Sequence, residues 1–170
     1  MQIWPRVRAR RIYPQISNVP NSSTTKLAGF MAYKAGMTHI LFKDTNAHSP
    51  TKNQNIFCPV TILECPPIKP LLLRFYQKTI HGLKIVGEIP APKVDKKYKF
   101  TIPKQAKETA NVDEVRLVIH SMPEMTAMGK KQPDVLEIHI LGKTPEEKIK
   151  IGKELLTKER IDKLEKLKKL

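Results

Sequence analysis

From Leu27 to Pro92 the chain never sustains a helical period, and its apolar runs are short, β-branched and punctuated by glycine or proline. That pattern excludes an all-helical domain and points to a small barrel or sandwich of strands. Residues 27–33 and 38–42 are predicted as strands joined by a tight connection at Lys34-Ala35-Gly36-Met37, with Gly36 at the turn. Further strands are predicted at 56–63, 70–76 and 83–89, with an exposed polar loop at 45–55. Pro90-Ala91-Pro92 closes this block, and 93–111 reads as a basic connector. Residues 112–119 and 135–141 read as two buried strands, with Leu136, Ile138 and Ile140 on one face of the second.

The last segment changes period. Thr144 suits a helix N-cap, Pro145 the first turn and Glu147 the capping-box position. A helix running from there to residue 170 would be about 39 Å long at 1.5 Å per residue. Ile149, Leu155, Leu156, Ile161, Leu164, Leu167 and Leu170 form its apolar stripe, expected to pack on the preceding strands. The division expected is an extended basic arm at 1–26, a partial β-barrel at 27–92, a connector with α/β insertion strands at 93–143, and a basic amphipathic helix at 144–170.

Charge narrows the function. Lys and Arg number 31 against 16 Asp and Glu, for a net charge of +15. The block 1–26 contains Arg6, Arg8, Arg10, Arg11 and Lys26 and no acid, whereas 112–141 is slightly acidic. A field of this sign gathers polyanions, nucleic acid first. Trp4 and Tyr13 lie among the arginines, a mixture that suits ring stacking on bases and guanidinium contacts to phosphate. No apolar run is long enough to span a bilayer, and no membrane partner is expected. Cys58 and Cys65 have no zinc-ligand spacing and are expected to be reduced, half-buried thiols of an intracellular protein. The five histidines are scattered, and no phosphate loop or nucleophile elbow occurs. Glu64 and Glu88 each sit at a strand end, which explains them as well as an acid/base pair would. No cofactor, metal or enzymatic activity is expected.

The string Tyr33-Lys34-Ala35-Gly36-Met37-Thr38-His39 resembles the signature of the large-subunit ribosomal protein L-three family in its archaeal and eukaryotic form. Pro5 to Pro14 resembles the family's basic arm, and Pro59-Val60-Thr61-Ile62-Leu63-Glu64-Cys65-Pro66-Pro67 resembles its Pro-Val-Thr-x-Leu-Glu-x-Pro-Pro strand. Residues 113–117, Lys130-Lys131 and 133–138 resemble its inserted α/β segment. The resemblance implies a mainly β fold, a partial translation-protein-type barrel with an α+β insertion. It implies a cytoplasmic structural constituent of the large ribosomal subunit that binds rRNA near the 3′ end, supports assembly and touches neighbouring ribosomal proteins. Carried over by position, Arg6, Arg8, Arg10 and Arg11 would thread the arm into rRNA, and the aromatic and charge pattern adds Tyr13 and Lys26 as candidate contacts. Lys34 and Thr38 would be barrel-surface contacts near the hairpin, and Lys52, in the polar loop, is a further candidate.

The family's Val-Thr-Lys-Gly-Lys-Gly strand, the finger toward the peptidyl-transferase centre and the last barrel strands have no counterpart here, and residues 156–164 do not align. The chain is therefore expected to be a truncated member or an N-terminal half completed by a second polypeptide. The competing expectation is a diverged interaction module acting through its C-terminal helix.

Overall fold

Leucine, isoleucine, valine and aromatic residues crowd the middle of the chain, and they fall into strands. The computed structural model describes residues 12, 13, 16, 19, 26–95, 97, 100–103, 111–159 and 161. The strands are β1 (Lys26–Leu27), β2 (Tyr33–Lys43), β3 (Asn55–Glu64), β4 (Ile68–Thr79), β5 (Gly82–Pro90), β6 (Glu114–Ser121) and β7 (Val135–Leu141), followed by one helix, α1 (Pro145–Thr157). A single 3-10 turn, Pro123–Met125, lies between β6 and β7. Among the described residues the fold is mainly β with one helix. Five strands form one antiparallel sheet in the order β1-β7-β6-β4-β5, and β2 and β3 pair as a separate two-stranded ribbon. Among the described residues the sheets do not close into a barrel.

β4 is the axis of the sheet, paired with β5 on one side and β6 on the other. Its Leu71-Leu72-Leu73 run is buried because both faces are covered there. Beneath α1 lie Ile68, Leu73, Phe75, Val115, Leu117, Ile119, Ile138 and Ile140, joined by Leu156 from the helix. On the opposite face Leu71, Leu72 and Val118 pack with Val94, Phe100, Ile102 and Val135. Pro70 is tolerated inside this central strand because a bulge lies between Pro70 and Leu72, where a ladder donor is not needed. The β4–β5 hairpin turns through Ile80-His81, and Gly82 supplies a φ of 116° that other residues rarely adopt.

Beside the second core, the His120 ring is fully enclosed, 5.0 Å from the Phe100 ring centroid. Its Nδ1 lies 3.0 Å from the Ser121 carbonyl oxygen and its Nε2 3.8 Å from Asp95, itself paired with Lys69 at 2.7 Å. Burial pushes the imidazole pKa down, with Ser121 and Asp95 partly opposing.

Two expectations are corrected. Gly36 does not turn the chain: β2 continues through it for 11 residues, and the irregularity is a bulge between Lys34 and Gly36. Ten pairings with β3 are available to a continuous strand, so the reversal falls instead in the polar loop 44–54. The helix does not run to residue 170. It stops at Thr157, Lys158 is extended, and Ile161 pairs its backbone with Ile68 at 2.8 and 3.3 Å. Two sheet hydrogen bonds and burial of Ile161 outweigh the modest propensity gain of another helical turn. The N-terminus forms as the capping pattern predicts, with Thr144 Oγ1 accepting from the Glu147 N–H at 3.4 Å. Residues 162–170, with Leu164, Leu167 and Leu170, lie outside the described residues.

Candidate nucleic-acid interface

The β2–β3 ribbon presents two faces of different chemistry. Register places Thr38, Ile40, Phe42, Ile56, Cys58, Val60 and Ile62 on one side, here face A. Face B carries Lys34, Met37, His39, Leu41 and Lys43 from β2, with Asn55, Phe57, Pro59, Thr61 and Leu63 from β3. Both faces are open. Ile40, Phe42 and Ile62 on face A are 44–49% exposed, and Met37, Leu41 and Phe57 on face B are 64–70% exposed. On face B the His39 and Phe57 rings stack, centroids 4.7 Å apart and planes within 7°. Two expected contacts, Lys34 and Thr38, therefore fall on opposite faces.

The ribbon's ends are fixed by polar contacts. At its base the Tyr33 hydroxyl donates to Asp134 at 2.5 Å and lies 2.8 Å from the Ser121 hydroxyl, while Lys130 pairs with the same carboxylate and lies over the Tyr33 ring. Burial, then the Asp134 carboxylate, pushes the phenol up to about 12. At the tip the Asp44 carboxylate accepts from the Asn46 N–H at 2.9 Å and the Thr51 hydroxyl at 2.8 Å. The Ser49 hydroxyl first, then the Asn46 N–H and the Thr51 hydroxyl, hold it below the usual carboxylate range. Asn53 takes a φ of 64° in the same loop, which presents Lys52 to solvent. Among the described residues Lys34, Lys43 and Lys52 are exposed and enter no ion pair.

The five-stranded sheet behaves oppositely. Arg74 pairs with both Glu88 and Glu137, and Arg116 pairs with Glu114 at 3.1 Å and Glu137 at 3.6 Å. Tyr76 donates to Glu137 at 2.8 Å and lies under the Arg116 guanidinium. Burial, then the Glu137 hydrogen bond, pushes this phenol too up to about 12. The two arginines are consumed internally, and Glu88 is explained by Arg74 rather than by a catalytic pair. His139 extends the lattice, with Nδ1 2.5 Å from Glu114 and Nε2 3.2 Å from the carbonyl oxygen of Ile16 in the arm. The lattice joins residues up to 123 positions apart, and no local sequence signal announces it.

Of the arm candidates, Arg6, Arg8, Arg10 and Arg11 lie outside the described residues. Tyr13 is half-buried, and Lys26 sits in β1 opposite Leu141. The thiols are free, Cys58 half-buried as expected and Cys65 exposed, because the strand ends at Glu64 before it.

The comparisons decide the family. The family model described as Ribosomal protein L3 matches residues 1–109. The large ribosomal subunit protein uL3 of Methanobrevibacter smithii is 36% identical over 167 residues, covering 91% of this chain and 50% of that protein. This chain belongs to the ribosomal protein L3 family. The uL3 protein of Methanococcus aeolicus is 39% identical, with 91% of this chain and 49% of that protein covered. That of Methanothermobacter thermautotrophicus is 38% identical, with 91% and 50% covered. The chain spans about half the length of the curated relatives it matches.

Proposed function

We propose that this L3-family chain is a structural constituent of the large ribosomal subunit in the cytoplasm, binding large-subunit rRNA and supporting assembly beside other ribosomal proteins. The observation that carries the reading is where cationic charge remains after internal pairing. The sheet's arginines are committed to Glu88, Glu114 and Glu137, while Lys34, Lys43 and Lys52 of the ribbon enter no ion pair among the described residues, and the sequence of residues 1–26 has five bases and no acid. Arg6, Arg8, Arg10, Arg11, Tyr13 and Lys26 then form the arm contact, with Lys34 and Lys52 on the ribbon. Thr38 lies on the uncharged face A and is the weakest of the set.

Binding of this kind releases counterions, so affinity falls steeply with salt. Charge reversal of Arg8, Arg10 and Arg11 together should weaken binding to transcribed large-subunit rRNA by several kcal/mol, at about 1 kcal/mol or more per charge-assisted contact. A flat salt response, or normal incorporation of the triple variant into large subunits, refutes the arm as anchor.

Face A needs a different occupant. A two-stranded ribbon is marginal alone, and its open apolar side calls for cover. We infer that a β-rich segment equivalent to the remainder of the relatives' length covers it, in the same chain or as a second polypeptide, closing the partial barrel that the resemblance implies. Co-elution of this chain with that segment on size exclusion is expected, and no complex refutes it. Docking of a partner through the helix is not favoured, since Ile149, Leu155 and Leu156 already pack against the sheet core.

A further inference from the structure

We propose that His39 and Phe57 form a stacking ledge for one unpaired RNA base, with Lys34 and Lys43 holding the phosphates on either side. The inference rests on the rRNA-binding reading and assigns a base-contacting site within it.

The geometry is that of a platform rather than a packed core. Two rings lie parallel within 7° at 4.7 Å, and Phe57 is 64% exposed. A flat, solvent-facing π surface loses little entropy when a base adds to the stack, and base–aromatic stacking tolerates any base. Register places Lys43 two residues beyond Leu41, the partner of Phe57, about 7 Å along the strand. Lys34 closes the other end of face B, opposite Leu63. Face B carries no carboxylate, so nothing there repels a phosphate. Met37 and Leu41 add apolar bodies beside the rings, and Asn55 and Thr61 add hydrogen-bonding groups at the margins. Face A is the contrast. It carries no charge between Gly36 and Phe42 or between Ile56 and Ile62, which suits a protein cover and offers a phosphate nothing. The two sides of one ribbon thus separate a protein-facing surface from an RNA-facing one.

The experiment measures binding of the full chain to transcribed large-subunit rRNA and to poly(A), with wild type, Phe57→Ala, Phe57→Leu, Phe57→Trp and Lys43→Glu compared across salt. Phe57 is exposed, so these changes leave the core alone, and far-UV circular dichroism checks that. Phe57→Ala and Phe57→Leu should each weaken binding about 10-fold at fixed salt without changing the salt slope, and Phe57→Trp should restore it. Lys43→Glu should instead make the salt slope shallower by about one, the value for a single phosphate no longer neutralised. Wild-type affinity in Phe57→Ala, with arm-dependent binding intact, overturns the ledge alone. So does a Phe57→Ala variant that keeps RNA but loses a protein partner. Absence of salt-dependent binding by the wild-type chain overturns the rRNA reading itself.

Discussion

Replacing Gly152 by alanine sets two effects of similar size against each other. Gly152 lies in the middle of α1, where alanine should gain about 1 kcal/mol of helix propensity. The new Cβ would lie 2.7 and 2.9 Å from the two terminal carbons of Leu73 and 3.2 Å from Ile140 Cδ1. Favourable carbon contacts sit at about 3.5–4.0 Å, so Leu73 must move. It is fully enclosed in the core shared with Phe75 and Leu117, which leaves little room. Overpacking of this kind costs about 1–3 kcal/mol. The net expectation is a loss of about 1 kcal/mol. Leu73→Ala alone should cost about 2–5 kcal/mol through its cavity. On that background the overlap is gone and Gly152→Ala should stabilise by about 1 kcal/mol, reversing sign. Urea unfolding followed by circular dichroism at constant slope reads all four corners of the cycle. Equal stabilisation by Gly152→Ala in both backgrounds would refute the close seating of α1 on β4.

Tyr33→Phe removes the hydroxyl that ties the ribbon base to Asp134 and Ser121, and should cost about 1–2 kcal/mol by urea unfolding. An unchanged midpoint would mean the ribbon is anchored elsewhere. His120 should make stability depend on pH. Burial depresses its folded pKa, so the unfolded ring takes up a proton first as pH falls through about 6.5. Stability is then complete above that value and declines below it, until the folded ring also titrates. Thermal unfolding across this range should show that decline, and His120→Gln should flatten it; a midpoint rising toward acid contradicts the assignment.

The strands were largely legible because their signal is local. Val60 to Leu63 is apolar and β-branched, Leu71 to Leu73 is an apolar run and Val135 to Leu141 alternates apolar with polar residues, and the structure makes strands of all three. The helix start was equally local, written in Thr144-Pro145. Pairing was not legible. That β4 lies between β5 and β6, or that Arg74 meets Glu137, depends on contacts across tens of residues. The helix end failed for the same reason, since the apolar spacing continues past Thr157 while Ile161 is claimed by Ile68. The ledge was missed because His39 and Phe57 are neighbours only through the β2–β3 register.

Gly36 shows how a misread local signal can conceal a functional one. Glycine between two apolar runs reads equally as a turn or as a bulge. As a turn it would only reverse the chain. As a bulge it inserts one residue between Lys34 and Gly36, and side chains on a strand alternate with a period of two. In a regular strand Lys34 would share a side with Gly36 and Thr38, placing a charge on apolar face A. The extra residue moves it to the side of Met37, His39 and Lys43. The same shift places Tyr33 opposite Glu64, at the base of the ribbon where its hydroxyl reaches Ser121 and Asp134. One residue of slack thus gives face A an uncharged surface for cover, gives face B lysines at both ends, and secures the ribbon to the sheet.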